Sequence, residues 1–123
     1  MAKGAAIKWL KKPEDHDYPA AASYLGLLFA KTEVASTVTR LRRAPMVKFK
    51  SKDIFRASGL PLLGLGNYHV KQDRARIRKR QELSPILLVR MKEHSKVIIA
   101  DGYLRLCAVY SFDENAIIPC KIV

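Results

Sequence analysis

Along this chain the spacing of apolar residues switches several times between the three-to-four step of helices and the alternating or continuous pattern of strands. Pro19 predicts a helix that opens at Ala20, with Tyr24, Leu27 and Leu28 along one side. In TEVASTVTRLRRA (32–44), Val34, Val38 and Leu41 recur at helical spacing behind Thr32, a candidate N-cap. Pro45 ends that segment, because the residue before a proline is pushed out of the α region. Residues 1–44 therefore read as a helical hairpin. It elaborates the domain formed by 45–123 rather than standing as a domain of its own.

MVKFK (46–50) alternates apolar and basic residues, the pattern of an edge strand with one wet face. SGLPLLGLGN (58–67) is a loop by its glycines and proline, and its leucines are expected to pack over the core. HVKQDRARIRKR (69–80) predicts a helix with a thin apolar stripe of Val70 and Ile77. SPILLVR (84–90) and KVIIA (96–100) read as strands joined by a short polar turn, and AIIPCKIV (116–123) as a last strand. Pro85 is expected to open a strand antiparallel to 96–100. The fold class that follows is α+β, a small mixed sheet with packed helices plus the N-terminal hairpin.

Between the last two strands, an Asp-Gly break at Asp101–Gly102 leads into YLRLCAVYSF (103–112), a helix apolar almost all the way round and hence buried. Arg105 stands in its first turn, at the positive end of the helix dipole, where a cation is unfavourable unless an anion accompanies it. The residues leave two anions open. Asp101, four positions earlier, is placed to cap the helix and pair with Arg105. Alternatively, a ligand phosphate is held by the amides after Gly102 together with Arg105.

Charge widens the second alternative. The 123 residues hold 23 Lys and Arg against 11 acids, a formal +12 that favours polyanionic partners. Over half of these cations fall in 40–56 and 71–80. Arg74, Arg76, Arg78, Lys79 and Arg80 suit contacts along a nucleic-acid backbone, DNA before RNA, as readily as they suit a solvated helix face. Cys107 and Cys120 lie in apolar contexts without CxxC spacing and read as reduced core residues. His16, His69 and His94 share no metal-ligand spacing with them, so no metal site is expected. Trp9 and Tyr18 read as core, and Asn67 and His69 as neighbours of a pocket. The only acids expected near that pocket are Glu82 and Asp101. The basic N-terminus is too soon charged for a signal peptide and no run is long enough to cross a membrane, which points to the cytoplasm.

Residues 82–123 resemble the ParB N-terminal domain and sulfiredoxin superfamily. The likeness is carried by Ser84-Pro85-Ile86-Leu87, by the G-x-x-R-x-x-A turn of Gly102, Arg105 and Ala108, and by Ile118-Pro119 through Val123. It is weaker over 46–81 and does not reach 1–44. The resemblance implies the ParB/sulfiredoxin-like fold and nucleotide phosphates bound at the turn, CTP or ATP, with roles for Gly102 and Arg105. Asp101, Tyr103, His69 and Lys71 would complete the pocket. Two departures matter. Tyr103 replaces the catalytic cysteine that sulfiredoxins carry after this glycine, so their thiol chemistry is not expected. Leu104 replaces the His or basic residue that often precedes the arginine, so the pocket is expected to be degenerate. Partition proteins of the superfamily carry further DNA-binding and dimerisation domains, for which this chain has no room. The expected function is a phosphate-ligand or nucleic-acid-binding module. Its competitor is a nucleotide-dependent phosphotransferase or nuclease with Asp101 as the acid.

Overall fold

Ile86, Leu87, Leu88 and Val89 are consecutive and all buried, so their strand is covered on both faces. In the computed structural model, which describes residues 7–123, Ile86 and Leu88 belong to one core cluster and Leu87 and Val89 to another. Residues 1–6 of the expected N-terminal elaboration lie outside the described residues. The described chain is mixed α and β: five α-helices and one four-stranded sheet.

The elements run α1 (Asp17–Leu25), α2 (Lys31–Arg43), β1 (Val47–Lys50), α3 (Ser51–Ser58), α4 (Tyr68–Arg78), β2 (Ile86–Met91), β3 (Lys96–Asp101), α5 (Tyr103–Phe112) and β4 (Ile117–Ile122). Strand order is β1-β4-β2-β3. β1 pairs antiparallel with β4, β4 parallel with β2, and β2 antiparallel with β3 across a short 3₁₀ turn at Lys92–His94. Leu41, Tyr18, Ala21 and Leu25 from α1 and α2 cover Leu87, Val89 and Ala100 on one face. On the other, Ile54 of α3, Val70 and Ile77 of α4 and the buried side of α5 cover Ile86, Leu88, Ile99 and Ile118. Among the described residues no helix is long and apolar enough to cross a membrane.

The strands, α5 and the Pro45 stop fall where the apolar pattern places them. Four details differ. α1 starts at Asp17, with Pro19 in its first turn, and its core face is Tyr18, Ala21 and Leu25; Tyr24, Leu27 and Leu28 are exposed. Ala30, not Thr32, is the N-cap of α2, two residues ahead of the threonine that suggests a start. Residues 51–58 form α3, a helix too short for its period to stand out. In the loop that follows, Leu60, Leu62 and Leu65 are exposed and only Leu63 packs against the core.

Candidate functional site

β3 leads into α5 through a register shift. Leu88 pairs with Ile99 and Leu87 with Asp101, so Ala100 is the extra residue that re-aims the end of the strand. Gly102 then turns the chain at φ 111° and ψ 13°, a left-handed conformation that disfavours side chains. A Cβ there would stand 2.8 Å from Ile86 Cγ1 and 3.0 Å from Arg105 Nη2. The glycine therefore also makes room for the arginine. No side chain caps α5, so its first-turn amides stay unclaimed at the positive end of the dipole.

The arginine in that turn has two carboxylates beside it. Nη2 of Arg105 donates to Asp101 Oδ2 at 2.9 Å and to the Pro85 carbonyl at 3.3 Å, and Asp17 Oδ2 lies 3.8 Å away. Asp17 is fixed in turn: Ser84 Oγ donates to the same oxygen, and His16 Nε2 stands 3.4 Å from Oδ1. The hydrogen bonds and ion pairs of Arg105 run through Nη2, while its Nε is buried without a partner. Of the two anions the sequence left open, Asp101 is in place, and Asp17 joins it.

This turn forms one wall of a cleft of about 630 Å³, a size suited to a small ligand. Asp101 through Arg105 line it on one side and His69, Gln72, Asp73 and Arg76 of α4 on the other, with Tyr24, Leu60 and Ile99 as apolar rim. The guanidinium of Arg76 sits 2.8 Å from Asp73 Oδ1. Each arginine of the cleft thus brings its own carboxylate, and the cleft is a mixed, paired surface. Burial pushes the Asp101 carboxyl above the ordinary range; Arg105 opposes the shift and Asp17 adds to it. Asp73 is also raised by burial, against the pull of Arg76, Arg105 and His69. A second hollow, about 370 Å³, lies across Arg76 and Arg105 and is lined by Glu14, His16, Glu82 and Ser84.

The residues expected at the site divide. Asp101, Gly102, Tyr103, Arg105 and His69 line the cleft, whereas Lys71 is exposed outside its lining. Tyr103 donates its hydroxyl to the Pro61 carbonyl and so ties the 59–67 loop to α5; burial raises its phenol. Asn67 caps α4, accepting from the amides of His69 and Val70 at 2.9 and 3.2 Å. The cations expected to form one nucleic-acid face of α4 point different ways. Arg74 and Arg78 lie over the Phe112 ring, 4.3 and 5.7 Å from its centroid, and Arg76 turns into the cleft. Lys79 and Arg80 remain exposed beyond the helix end.

Asp17, Ser84, Gln72 and Asp73 were not anticipated. Asp73 has a signal in the sequence, since it falls between Val70 and Ile77 on the buried stripe and three before Arg76. Asp17 and Ser84 meet only through the fold, 67 residues apart. Burial pushes the Cys120 thiol up to about 12 and also raises Cys107, so both are inert core residues. Among the described residues no three His, Cys, Asp or Glu side chains converge to hold a metal. No protein-family model, no curated protein and no solved structure matches this chain.

Proposed function

We propose that this chain is a ParB/sulfiredoxin-like binding module whose cleft takes a phosphate-containing ligand, a nucleotide of the ATP or CTP kind, at the Gly102–Arg105 turn. The observation that carries the reading is the uncapped N-terminus of α5, which opens into the cleft beside a guanidinium anchored through Nη2. Amides of a first helical turn and an arginine are the groups that hold a phosphate. Tyr24, Leu60, Ile99 and Leu104 offer an apolar surface to a base or sugar. Asp101 and Asp17 already neutralise much of Arg105, and Leu104 supplies no donor. Both lower the affinity, in keeping with a degenerate pocket.

The test is a panel of ATP, CTP, GTP and inorganic pyrophosphate, read by thermal shift and calorimetry. At least one nucleotide is expected to raise the melting temperature. Arg105→Lys keeps a cation for the two carboxylates but loses the planar fork, and is expected to bind about tenfold weaker with the fold intact. Leu104→His is expected to strengthen triphosphate binding. If no nucleotide binds, or Arg105→Lys binds as well as the wild type, the reading falls. Turnover of a bound nucleotide or of a phosphodiester would move the protein to the enzyme class.

A further inference from the structure

The densest unpaired charge lies three strands away from the cleft. Between Glu33 and Asp53 the chain has no acid and six cations: Arg40, Arg42, Arg43, Lys48, Lys50 and Lys52. All six are exposed, and none takes part in an ion pair within the described structure. The fold gathers four of them, Arg42, Arg43, Lys48 and Lys50, at one edge of the sheet. Val47 and Phe49 pack into the core under α3, so Lys48 and Lys50 stand on the opposite face of β1, the free edge of the sheet. On the same face of the neighbouring strand, Lys121 donates from Nζ to the Arg42 carbonyl at 2.7 Å. That bond seats the C-terminal turn of α2, with Arg42 and Arg43, beside the two lysines.

Three arginines in the last turn of α2 exceed what its dipole needs, since a helix terminus carries only about half an elementary charge. β1 as an edge strand needs some charge to discourage pairing, but not an arginine-rich helix end next to it. On α4 the guanidiniums are taken up by Phe112 and Asp73. On α2 only Arg42 is held in this way, over the Tyr18 ring at 4.3 Å. That leaves Arg43 and the two lysines of β1 without an aromatic or acidic partner among the described residues. Lys48 and Lys50 repeat at about 6.6–6.8 Å along the strand, twice the ~3.4 Å axial step between phosphates on one nucleic-acid strand.

We propose that the β1 edge and the C-terminal end of α2 form a binding surface for a nucleic-acid backbone, independent of the cleft. A membrane surface fits poorly, because the large apolar residues a lipid interface would take up lie elsewhere. Leu27 and Leu28 follow α1, at the opposite end of the α1–α2 pair, and Leu60, Leu62 and Leu65 are in the loop after α3. Ile117 is the exposed apolar side chain set across from Lys50. The surface reads phosphates, and it carries no element that reaches base edges.

The experiment measures fluorescence anisotropy of the full chain with short mixed-sequence DNA and RNA, single- and double-stranded, over a salt series. Binding is expected at low salt and falls steeply as salt rises. Arg43→Gln/Lys48→Gln/Lys50→Gln is expected to bind about tenfold weaker and, for single strands, to flatten the log–log salt slope by about two. Lys48→Arg/Lys50→Arg is expected to retain binding. Removing the same charge elsewhere, in Lys71→Gln/Lys79→Gln/Arg80→Gln, is expected to leave affinity near wild type. The proposal is overturned if the wild type binds no oligonucleotide at low salt, or if both triple variants lose affinity equally. It is also overturned if anionic phospholipid vesicles bind the surface in preference to nucleic acid.

Discussion

Arg105 occupies a position that elementary electrostatics disfavours, and its tolerance there comes from carboxylates contributed by two distant parts of the chain. Asp101 was legible in the sequence, because a separation of four residues brings side chains together across one helical turn. Asp17 was not, since nothing local links residue 17 to residue 105. The arrangement has a measurable consequence. The folded carboxyl of Asp101 is raised above its ordinary value of 3.8, mainly by burial. The native state therefore holds this proton more tightly than the unfolded chain, and the contribution of Asp101 to stability falls as pH rises from about 4 through the folded value. Asp101→Asn removes that dependence. In urea denaturation at several pH values, the variant is expected to gain on the wild type between pH 4 and 7. A widening deficit over the same range would mean that Arg105 outweighs the cost of burial.

At the scale of elements, legibility followed the strength and length of the apolar period. β2, β3, β4 and α5 supply twelve of the twenty buried apolar residues among those described, so their residue types announce them. The exposed Tyr24 of α1, and Leu27 and Leu28 just after it, are as greasy as the buried residues of the helix, so the apolar pattern points to a late start and to the wrong face. Residues 51–58 hold only two turns, too few for a period to rise above the basic residues around them, and α3 went unread. The start of α4 depends on a single polar side chain. Asn67 accepts from two first-turn amides and thereby fixes His69 at the cleft and Tyr68 beside it. Asn67→Ala is expected to cost about 1 kcal/mol, measured by chemical denaturation. Hydrogen exchange should accelerate at residues 68–72 and leave α5 protected. Uniform acceleration along the chain would instead make the cap part of the global unfolding unit.

For the whole molecule, the sheet is a partition: the cleft opens at the β3 edge and the unpaired cations gather at the β1 edge. Composition alone reported the excess charge but not this division, because the two basic stretches look alike until the fold turns one onto Phe112 and Asp73. The α1–α2 layer holds both edges in place. It covers Leu87, Val89 and Ala100, sends Asp17 to Arg105, and carries Arg42 and Arg43 to the lysines of β1. Baring Leu87 and Val89 alone forgoes roughly 1.5–3 kcal/mol apiece, against a total stability of about 5–15 kcal/mol for an ordinary domain. Loss of Asp17 removes one of the two anions that make Arg105 tolerable at its helix end. A chain comprising residues 45–123 is therefore expected to lose cooperative unfolding, followed by circular dichroism on heating, and to bind a hydrophobic dye through the uncovered sheet face. A sharp melt near that of the full chain, without dye binding, would show that the sheet and α3–α5 are sufficient, and that the first two helices serve the binding surfaces rather than the core.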